Sequence, residues 1–268
     1  MRFVVLASGS SGNVSAVWNG TRGLLIDAGT GSSKSIEAAL RTAGLRPEGI
    51  AGILVTHAHS DHFGRPARIF AKKYGVPVLT HRDTYAAACR RARDFHGMDT
   101  LGHVRFLTEN ADHLHDDFEI RTWSVPHGTE SAGRPLAFTI RCNGRTVFYA
   151  TDLGMVPPYL IQAMRDADFV LLESNYDEEM EVTSGRPDHL IDWVTGPTGH
   201  LSNDQAAEAL ALVFEPGHKK YPKRVVLGHL SEDCNLPALA IAAIRPRLPV
   251  HVELHIAPRY EASAVWDV

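Results

Sequence analysis

The sequence has little of several things that would define a class of protein. Only 3 of its 268 residues are cysteines, and Cys89, Cys142 and Cys234 form no C-x-x-C pair, so a disulfide framework is excluded and a reducing compartment is favoured. No apolar run approaches the roughly 18 to 20 residues of a membrane span. The apolar run 1–6 is too short for a signal peptide. We therefore expect a cytoplasmic protein that does not bind a membrane.

The chain also has no excess of positive charge. The net charge is −4, so the molecule as a whole is not a polycation that coats nucleic acid, and any such binding must come from local patches. With 44% hydrophobic residues, the chain can bury a large core. No segment has the composition of a linker between domains. We expect one domain spanning residues 1–268.

Histidine, by contrast, is abundant, with 15 in the chain. The densest group is the stretch His57-Ala58-His59-Ser60-Asp61-His62, which follows the apolar run 53–56. Imidazole nitrogens and carboxylate oxygens are the ligands that zinc prefers. His57 and His59 can point to one side as the chain leaves a strand, whereas Asp61 and His62 would reach a neighbouring ion. The stretch predicts a site for two divalent metal ions, and a polar loop without function is disfavoured because crowded imidazoles without partners are costly.

The rest of the chain has the pattern of an α/β protein. Turn residues and hydrophobic periodicity predict a β-meander over residues 3–27, helices over 66–74 and 83–95, a hairpin around Asn143-Gly144, and a helix capped at Ser202 that runs to Val213. Several apolar strands stop where a histidine or an acid stands. Asp27 ends one of them and is either an outer partner that orients a metal ligand or a turn residue.

The order of these strand-end residues resembles the ligand series of the metallo-β-lactamase superfamily of hydrolases, and the resemblance covers essentially the whole chain. It implies an αβ/βα four-layer sandwich, in which two mixed sheets lie face to face with helices outside and the metals along one edge. It also implies two metal sites. One metal takes His57, His59 and His127. The other takes Asp61, His62 and His229, and Asp152 bridges the two metals.

More narrowly, the chain is similar to the YycJ (WalJ) group, which is related to the nucleases tRNase Z and RNase J. This resemblance implies a cytoplasmic DNA exonuclease that acts from the 5′ end. Two departures stand out: Tyr176 occupies a position where the resemblance calls for histidine, and residues 186–189 replace a more basic stretch. The matching segments are 9–13, 24–29, 150–154, 173–175, 199–203 and 229–231.

Two dications about 3.5 to 4 Å apart can share a hydroxide that attacks phosphorus. In the predicted reaction, Asp61 and Asp152 act through the metals they hold, and His200 donates a proton to the leaving group, unless it is merely a core or surface histidine. Zinc is the expected metal, with manganese or iron compatible. Nucleic acid is the expected substrate. A small-molecule ester, thioester or lactone hydrolase, a mononuclear iron dioxygenase, and a non-catalytic binding module are the alternatives.

Two basic segments bear on the substrate. The arginines of residues 82–93 and the run 218–224 are either solvated surface or phosphate-binding patches. A groove bordered by Arg90, Arg91, Lys219 and Lys220 and leading to the metals would favour a polymer, whereas a closed pocket would favour a small ester. We expect the loop 8–13 to be a turn, and a phosphate contact is the less favoured alternative because the loop lacks the lysine of a P-loop.

Overall fold

The polypeptide forms fourteen strands and eight α-helices in a computed structural model that describes residues 1–268. Strands β1 to β14 span Arg2–Ala7, Val14–Trp18, Gly23–Ile26, Ile50–Leu54, Val78–His81, Val104–Leu107, Asp112–His115, Phe118–Ser124, Leu136–Cys142, Arg145–Ala150, Phe169–Glu173, Arg224–Gly228, Glu253–Ile256 and Trp266–Asp267. Helices α1 to α8 span Ser33–Thr42, Arg65–Tyr74, Arg82–Arg91, Pro158–Arg165, Glu178–Val182, Asp188–Thr195, Asn203–Val213 and Pro237–Ile244. None of these helices is both long and apolar enough to cross a membrane.

The strands form two seven-stranded sheets, in the orders β14-β1-β2-β3-β4-β5-β6 and β13-β12-β11-β10-β9-β8-β7. Each sheet is mixed, because β1 to β3 and β7 to β10 pair antiparallel whereas β3 to β6 and β10 to β13 pair parallel. The inner faces meet in a fully buried apolar layer, in which the rings of Phe3 on β1 and Phe169 on β11 lie 4.6 Å apart. Burial of such side chains is the main stabilising term of the fold.

Helices cover the outer face of each sheet. Phe70 of α2 is buried against the first sheet, and Leu210 of α7 is buried against the second, each within a continuous apolar cluster. The order of layers is therefore helix, sheet, sheet, helix, which confirms the predicted four-layer sandwich.

Most predicted elements are confirmed, and one is wrong in extent. The Asn143-Gly144 turn joins β9 to β10, and Ser202 and Gln205 form the reciprocal capping box that opens α7. The helix expected over 83–95 instead ends at Arg91, because Ala92 is extended with φ −147° and a separate 3-10 turn follows. Tyr85 explains the break, since its hydroxyl donates to the Phe95 carbonyl at 2.7 Å and draws this turn back onto the helix.

Candidate metal centre

The structure brings the seven predicted ligand residues together at one edge of the two sheets. His57, His59 and His127 form one group, in which His59 Nδ1 lies 3.0 Å from His57 Nε2 and 3.4 Å from His127 Nε2. Asp61, His62 and His229 form a second group, in which Asp61 Oδ2 lies 3.3 Å from His62 Nε2 and 3.8 Å from His229 Nε2.

Asp152 lies between the two groups. One of its carboxylate oxygens, Oδ2, is 3.0 Å from His62 Nε2. The other, Oδ1, is 3.5 Å from His229 Nε2 and 3.7 Å from His127 Nε2. Its position between the groups is the one that a bridging ligand requires.

Four of these imidazoles contact a partner outside the centre. The contact is made through the ring nitrogen that faces away from the centre. His62 Nδ1 lies 2.8 Å from Asp27 Oδ2, so the structure places Asp27 as an outer partner. The other three pairs are His57 Nδ1 with Thr56 Oγ1 at 3.0 Å, His127 Nδ1 with the Gly199 carbonyl at 2.8 Å, and His229 Nδ1 with Glu173 Oε1 at 2.9 Å. Engaging one nitrogen in this way leaves the other available to a metal, which is the usual arrangement of histidine ligands.

Two buried polar atoms at the centre have no hydrogen-bond partner, which fits a cation site. Asp152 Oδ2 and His229 Nε2 are buried and have no hydrogen-bond partner, which is a costly condition for polar atoms. Nitrogen and oxygen donors in this number suit zinc, manganese or iron. The residues present therefore fit divalent metal ions.

The electrostatics of the centre agree with this fit. Burial alone would raise the pKa of Asp152, but His229 and His62 hold that pKa well below its ordinary value. Burial also lowers the pKa of His229, yet Asp152, Asp61 and Glu173 reverse this effect and raise it to about 10. The carboxylates of the centre thus favour positive charge beside them, which is the environment that a divalent cation requires.

Three of the residues at this edge have an unusual backbone conformation. Asp27, Asp152 and His229 follow β3, β10 and β12 with φ angles of 58°, 60° and 56°. This left-handed region is sparsely populated by residues other than glycine, although aspartate and histidine tolerate it better than most. Each chain turns sharply as it leaves its strand, and the three side chains reach the centre from these turns.

Gly29 holds the metal-binding turn by close backbone contact. A Cβ atom at this position would lie 1.8 Å from both the carbonyl carbon and the oxygen of Asp61, and 2.3 Å from the His62 nitrogen. The neighbouring Ala28 N–H donates to the His62 carbonyl at 2.9 Å, so the two segments cannot separate freely.

We therefore expect Gly29→Ala to displace Asp61 and His62 and to lower the metal content of the purified protein toward one ion per chain, as measured by plasma emission spectroscopy. The matched control is Gly144→Ala, since a Cβ there meets nothing within 4 Å and the change costs only the strain of φ 71°. Full metal content in Gly29→Ala would show that the turn tolerates the added methyl group.

Glu173 is the functional residue that the sequence analysis left without a role. It ends β11, is fully buried, and accepts hydrogen bonds from His200 Nδ1 at 2.8 Å and from the Leu153 N–H at 3.0 Å, besides its contact with His229. Burial would raise its pKa, but His200 and His229 lower it to about 2. The position of Glu173 could have identified it, because an apolar strand stops at this acid, which is the pattern that marks the other residues of the site.

His200 lies beside the centre, as predicted. Its ring stacks on that of His229, with centroids 5.3 Å apart, and its Nδ1 is 3.6 Å from Asp152 Oδ1. The capping box at Ser202 fixes the start of α7 two residues further on. Because Nδ1 is engaged by Glu173, Nε2 is the ring atom free to exchange a proton.

A groove that would favour a polymer is present, and two of the four basic residues considered border it. An open groove of about 600 Å³, lined by His59, Asp61, Arg90 and Arg91, leads to the centre. Arg90 donates to the Glu130 carbonyl at 3.2 Å and has no carboxylate partner. The guanidinium of Arg91 donates to the carbonyls of Ala58 and Phe63, so it supports the metal-binding turn.

Lys219 and Lys220 do not border this groove. They precede β12, whereas His229 follows it, so the strand of five residues separates them from the centre by about 16 Å. Lys220 pairs instead with Asp168, 3.1 Å away at the start of β11.

The loop 8–13 supports the ligands from behind. Ser8 Oγ accepts a hydrogen bond from the His229 N–H at 2.9 Å, and Asn13 Nδ2 lies 3.1 Å from His62 Nε2. The loop is a turn, as expected, and it also forms one wall of the centre. Tyr176, which replaces the histidine that the resemblance called for, is buried with Val194 and Cys234 and is not part of the ligand set.

Comparisons with known proteins show the family of the chain. A family model described as the beta-lactamase superfamily domain matches residues 22–230. The chain is 32% identical over 245 residues to the exodeoxyribonuclease YycJ of Bacillus anthracis, with 90% of this chain and 86% of that protein covered. It is 29% identical to the exodeoxyribonuclease WalJ of Streptococcus pneumoniae, with 89% of this chain and 85% of that protein covered.

The fold is also that of solved structures. Zn²⁺-bound PqqB from Methylobacterium extorquens matches with a TM-score of 0.72 at 17% identity, and the short form of human tRNase Z matches with a TM-score of 0.65 at 15% identity, each over 100% of both chains. Similarity at this level of identity shows the fold alone. Taken with the family model and the relatives, the chain belongs to the metallo-β-lactamase superfamily of metal-dependent hydrolases and resembles its YycJ and WalJ members.

Proposed function

We propose that the protein is a dinuclear metal-dependent phosphodiesterase that degrades nucleic acid as an exonuclease, from the 5′ end of DNA. Zinc is the proposed metal, with His57, His59 and His127 holding one ion, Asp61, His62 and His229 the other, and Asp152 bridging. The cytoplasm is the proposed location. The relatives named as exodeoxyribonucleases support the reaction type.

The observation that carries the proposal is the form of the approach to the centre. An open groove of about 600 Å³ reaches His59 and Asp61, and Arg90 in its wall has no carboxylate partner. A small ester needs only a closed pocket, whereas a polymer must extend away from the reacting group. An unpaired arginine beside such a groove suits a chain of phosphates.

The residues of this chain divide the remaining tasks. Two divalent ions would supply the Lewis acidity that activates water and offsets the charge added at phosphorus. Asp27, Thr56 and Glu173 hold the imidazoles in position, so little rearrangement is needed during the reaction. His200 donates a proton from Nε2 to the leaving oxygen of the broken ester, while Glu173 keeps the ring in place through Nδ1.

The proposal is tested with protein reconstituted with zinc or manganese. Hydrolysis of bis(p-nitrophenyl) phosphate is measured beside a thioester and a lactone, and DNA and RNA labelled at the 5′ or the 3′ end follow. Metal-dependent release from the diester, immediate release of the label from 5′-labelled DNA and progressive shortening of 3′-labelled DNA are expected. Activity confined to the thioester or the lactone would overturn the proposal.

The groove arginine gives a second test. We expect Arg90→Ala to raise KM for a DNA oligonucleotide about tenfold and to flatten the dependence of KM on salt, because one phosphate contact is lost. The matched control is Lys219→Ala, which removes a positive charge at the opposite end of β12. Equal effects of the two variants would show that the groove does not carry the strand.

A further inference from the structure

The indole ring of Trp193 on α6 lies directly beside the metal centre. Its centroid is 5.4 Å from that of His200, with the two planes at 86°, and 6.1 Å from that of His127. Trp193 thus lies next to both the proposed proton donor and a proposed metal ligand. Trp193 is partly exposed, and the His200 side chain beside it keeps 11% of its surface exposed. Solvent therefore reaches this side of the centre.

The backbone of α6 holds Trp193 in this position. The carbonyl of Val194, the next residue, accepts a hydrogen bond from the His200 N–H at 2.9 Å. Gly199 lies so close to the helix that a Cβ there would be 2.1 Å from the Trp193 carbonyl oxygen. The Gly199 carbonyl in turn lies 2.8 Å from His127 Nδ1. The turn between α6 and α7 therefore fixes Trp193 relative to both histidines.

Core packing accounts for only part of the position of Trp193. The residue packs at the rim of a small apolar cluster formed by Tyr176, Val194 and Cys234. Val194 is the one buried residue of α6, so Trp193 does not belong to a continuous core. A flat, partly exposed ring next to the reacting groups is the kind of side chain on which a nucleobase stacks.

The charge of the surrounding segment distinguishes this side of the centre from the groove beside Arg90. Residues 177–192 contain six acidic residues and one arginine. That arginine, Arg186, pairs with Glu181 at 3.1 Å and with Asp233 at 2.8 Å. The segment therefore repels a chain of phosphates, whereas the groove attracts one. The body of a strand is expected to follow the groove, and only the end of the strand reaches Trp193.

The role of His200 decides which nucleotide lies beside Trp193. In the proposed reaction, His200 gives a proton to the oxygen that leaves phosphorus. The attacking and leaving oxygens lie on opposite sides of phosphorus in an in-line displacement. The nucleotide that carries the leaving oxygen is therefore on the His200 side, where the indole ring lies.

We propose that Trp193 stacks on the base of the nucleotide that carries the leaving oxygen and so positions this nucleotide for cleavage. The assignment rests on the proposed nuclease function and names a residue that contacts its substrate. Stacking accepts any base, so Trp193 holds the end of a strand without reading its sequence. The acidic segment 177–192 ends the path of the strand, so that single nucleotides are removed.

The test compares an intact DNA strand with strands that lack one base. Two further oligonucleotides carry an abasic residue at the first or at the second position from the 5′ end, on either side of the first bond to be cleaved. The rate of the first cleavage is followed with a 3′ label. The variant is Trp193→Leu. The matched control is Tyr221→Leu, because Tyr221 is a partly exposed aromatic residue before β12, at the end of that strand away from His229.

We expect Trp193→Leu to lower kcat/KM at least fivefold for the intact strand and less than twofold for one of the two abasic strands, because that strand has no base to stack. Tyr221→Leu should change neither value, and Trp193→Phe, which keeps a ring, should recover most of the loss. An equal loss for all three strands, or loss of metal in Trp193→Leu, would assign the residue to packing and overturn the proposal.

Tryptophan fluorescence separates this proposal from the nuclease proposal. Deoxyadenosine 5′-monophosphate and deoxyribose 5-phosphate, which has no base, are titrated into zinc-reconstituted wild-type protein, Trp193→Leu and Tyr221→Leu. Quenching that requires both the base and Trp193 supports stacking even if no DNA is cleaved, an outcome that would overturn only the nuclease proposal. If DNA is shortened but Trp193→Leu and Tyr221→Leu give the same rates and the same quenching, the stacking role is refuted and the nuclease proposal stands.

Discussion

Replacement of Asp152 by alanine is expected to abolish turnover and to release or misplace metal. The carboxylate oxygens of Asp152 lie within 4 Å of the Nε2 atoms of histidines from both metal groups. Its removal takes away the carboxylate that lies between His62 and His229. Loss of an outer partner of a metal ligand typically costs 10- to 100-fold, so loss of the bridge is expected to cost more than about 10³-fold in kcat.

The measurements are metal content by plasma emission spectroscopy and the rate with bis(p-nitrophenyl) phosphate. Asp112→Ala serves as the matched control, because Asp112 is exposed at the start of β7 and pairs only with Arg121. A circular dichroism melt establishes that both variants are folded. Full metal content together with a normal rate in Asp152→Ala would remove Asp152 from the proposed ligand set.

Replacement of His200 by alanine is expected to separate metal binding from proton donation. His200 touches Glu173 and stacks on His229, but it belongs to neither of the two proposed ligand groups. The variant should retain its metal and lose about 10²- to 10⁴-fold in rate with DNA, whose leaving alkoxide needs a proton. The p-nitrophenolate of the model diester leaves without one, so that rate should fall far less.

The comparison of the two substrates is the diagnostic result for His200. His189→Ala provides the control, since this histidine is exposed on α6. If His200→Ala instead stripped the metal, or slowed both substrates equally, the residue would be a ligand or a packing element and its assignment as the proton donor would be wrong.

The residues that lie together at this edge could be grouped from the sequence because local patterns fix both the strands and the points where they end. An apolar run that stops at Asp152 or His229 predicts an edge position before any coordinates are known, and parallel strands bring such ends together. Glu173 also ends an apolar strand, but the sequence indicated no role for it, so it was left unassigned. Distances between the groups, and the strained turns after β3, β10 and β12, depend on how the two sheets pack and are invisible in a linear pattern.

The arginines and lysines show where prediction from charge alone fails. Arg90 and Arg91 are adjacent, yet one faces the groove without a carboxylate partner and the other donates to carbonyls of the metal-binding turn. Adjacent side chains of a helix point about 100° apart. Which of two adjacent arginines lies near a hydrogen-bond acceptor therefore depends on the packing of the helix and not on the sequence pattern. The location of Lys219 and Lys220 could not be read from the sequence, because strand direction decides at which edge of a sheet a connecting loop lies.

The division of the centre between the two sheets has a consequence for biosynthesis. A ribosome delivers His57, His59, Asp61 and His62 early, but His127, Asp152 and His229 belong to the second sheet, and His229 follows the twelfth strand. Neither group of three is complete while the first sheet stands alone. If the proposed ligand set is correct, the second group is complete only after His229 has been made. Loading of that ion is then expected to be a late maturation step that can be separated in time from synthesis of most of the chain.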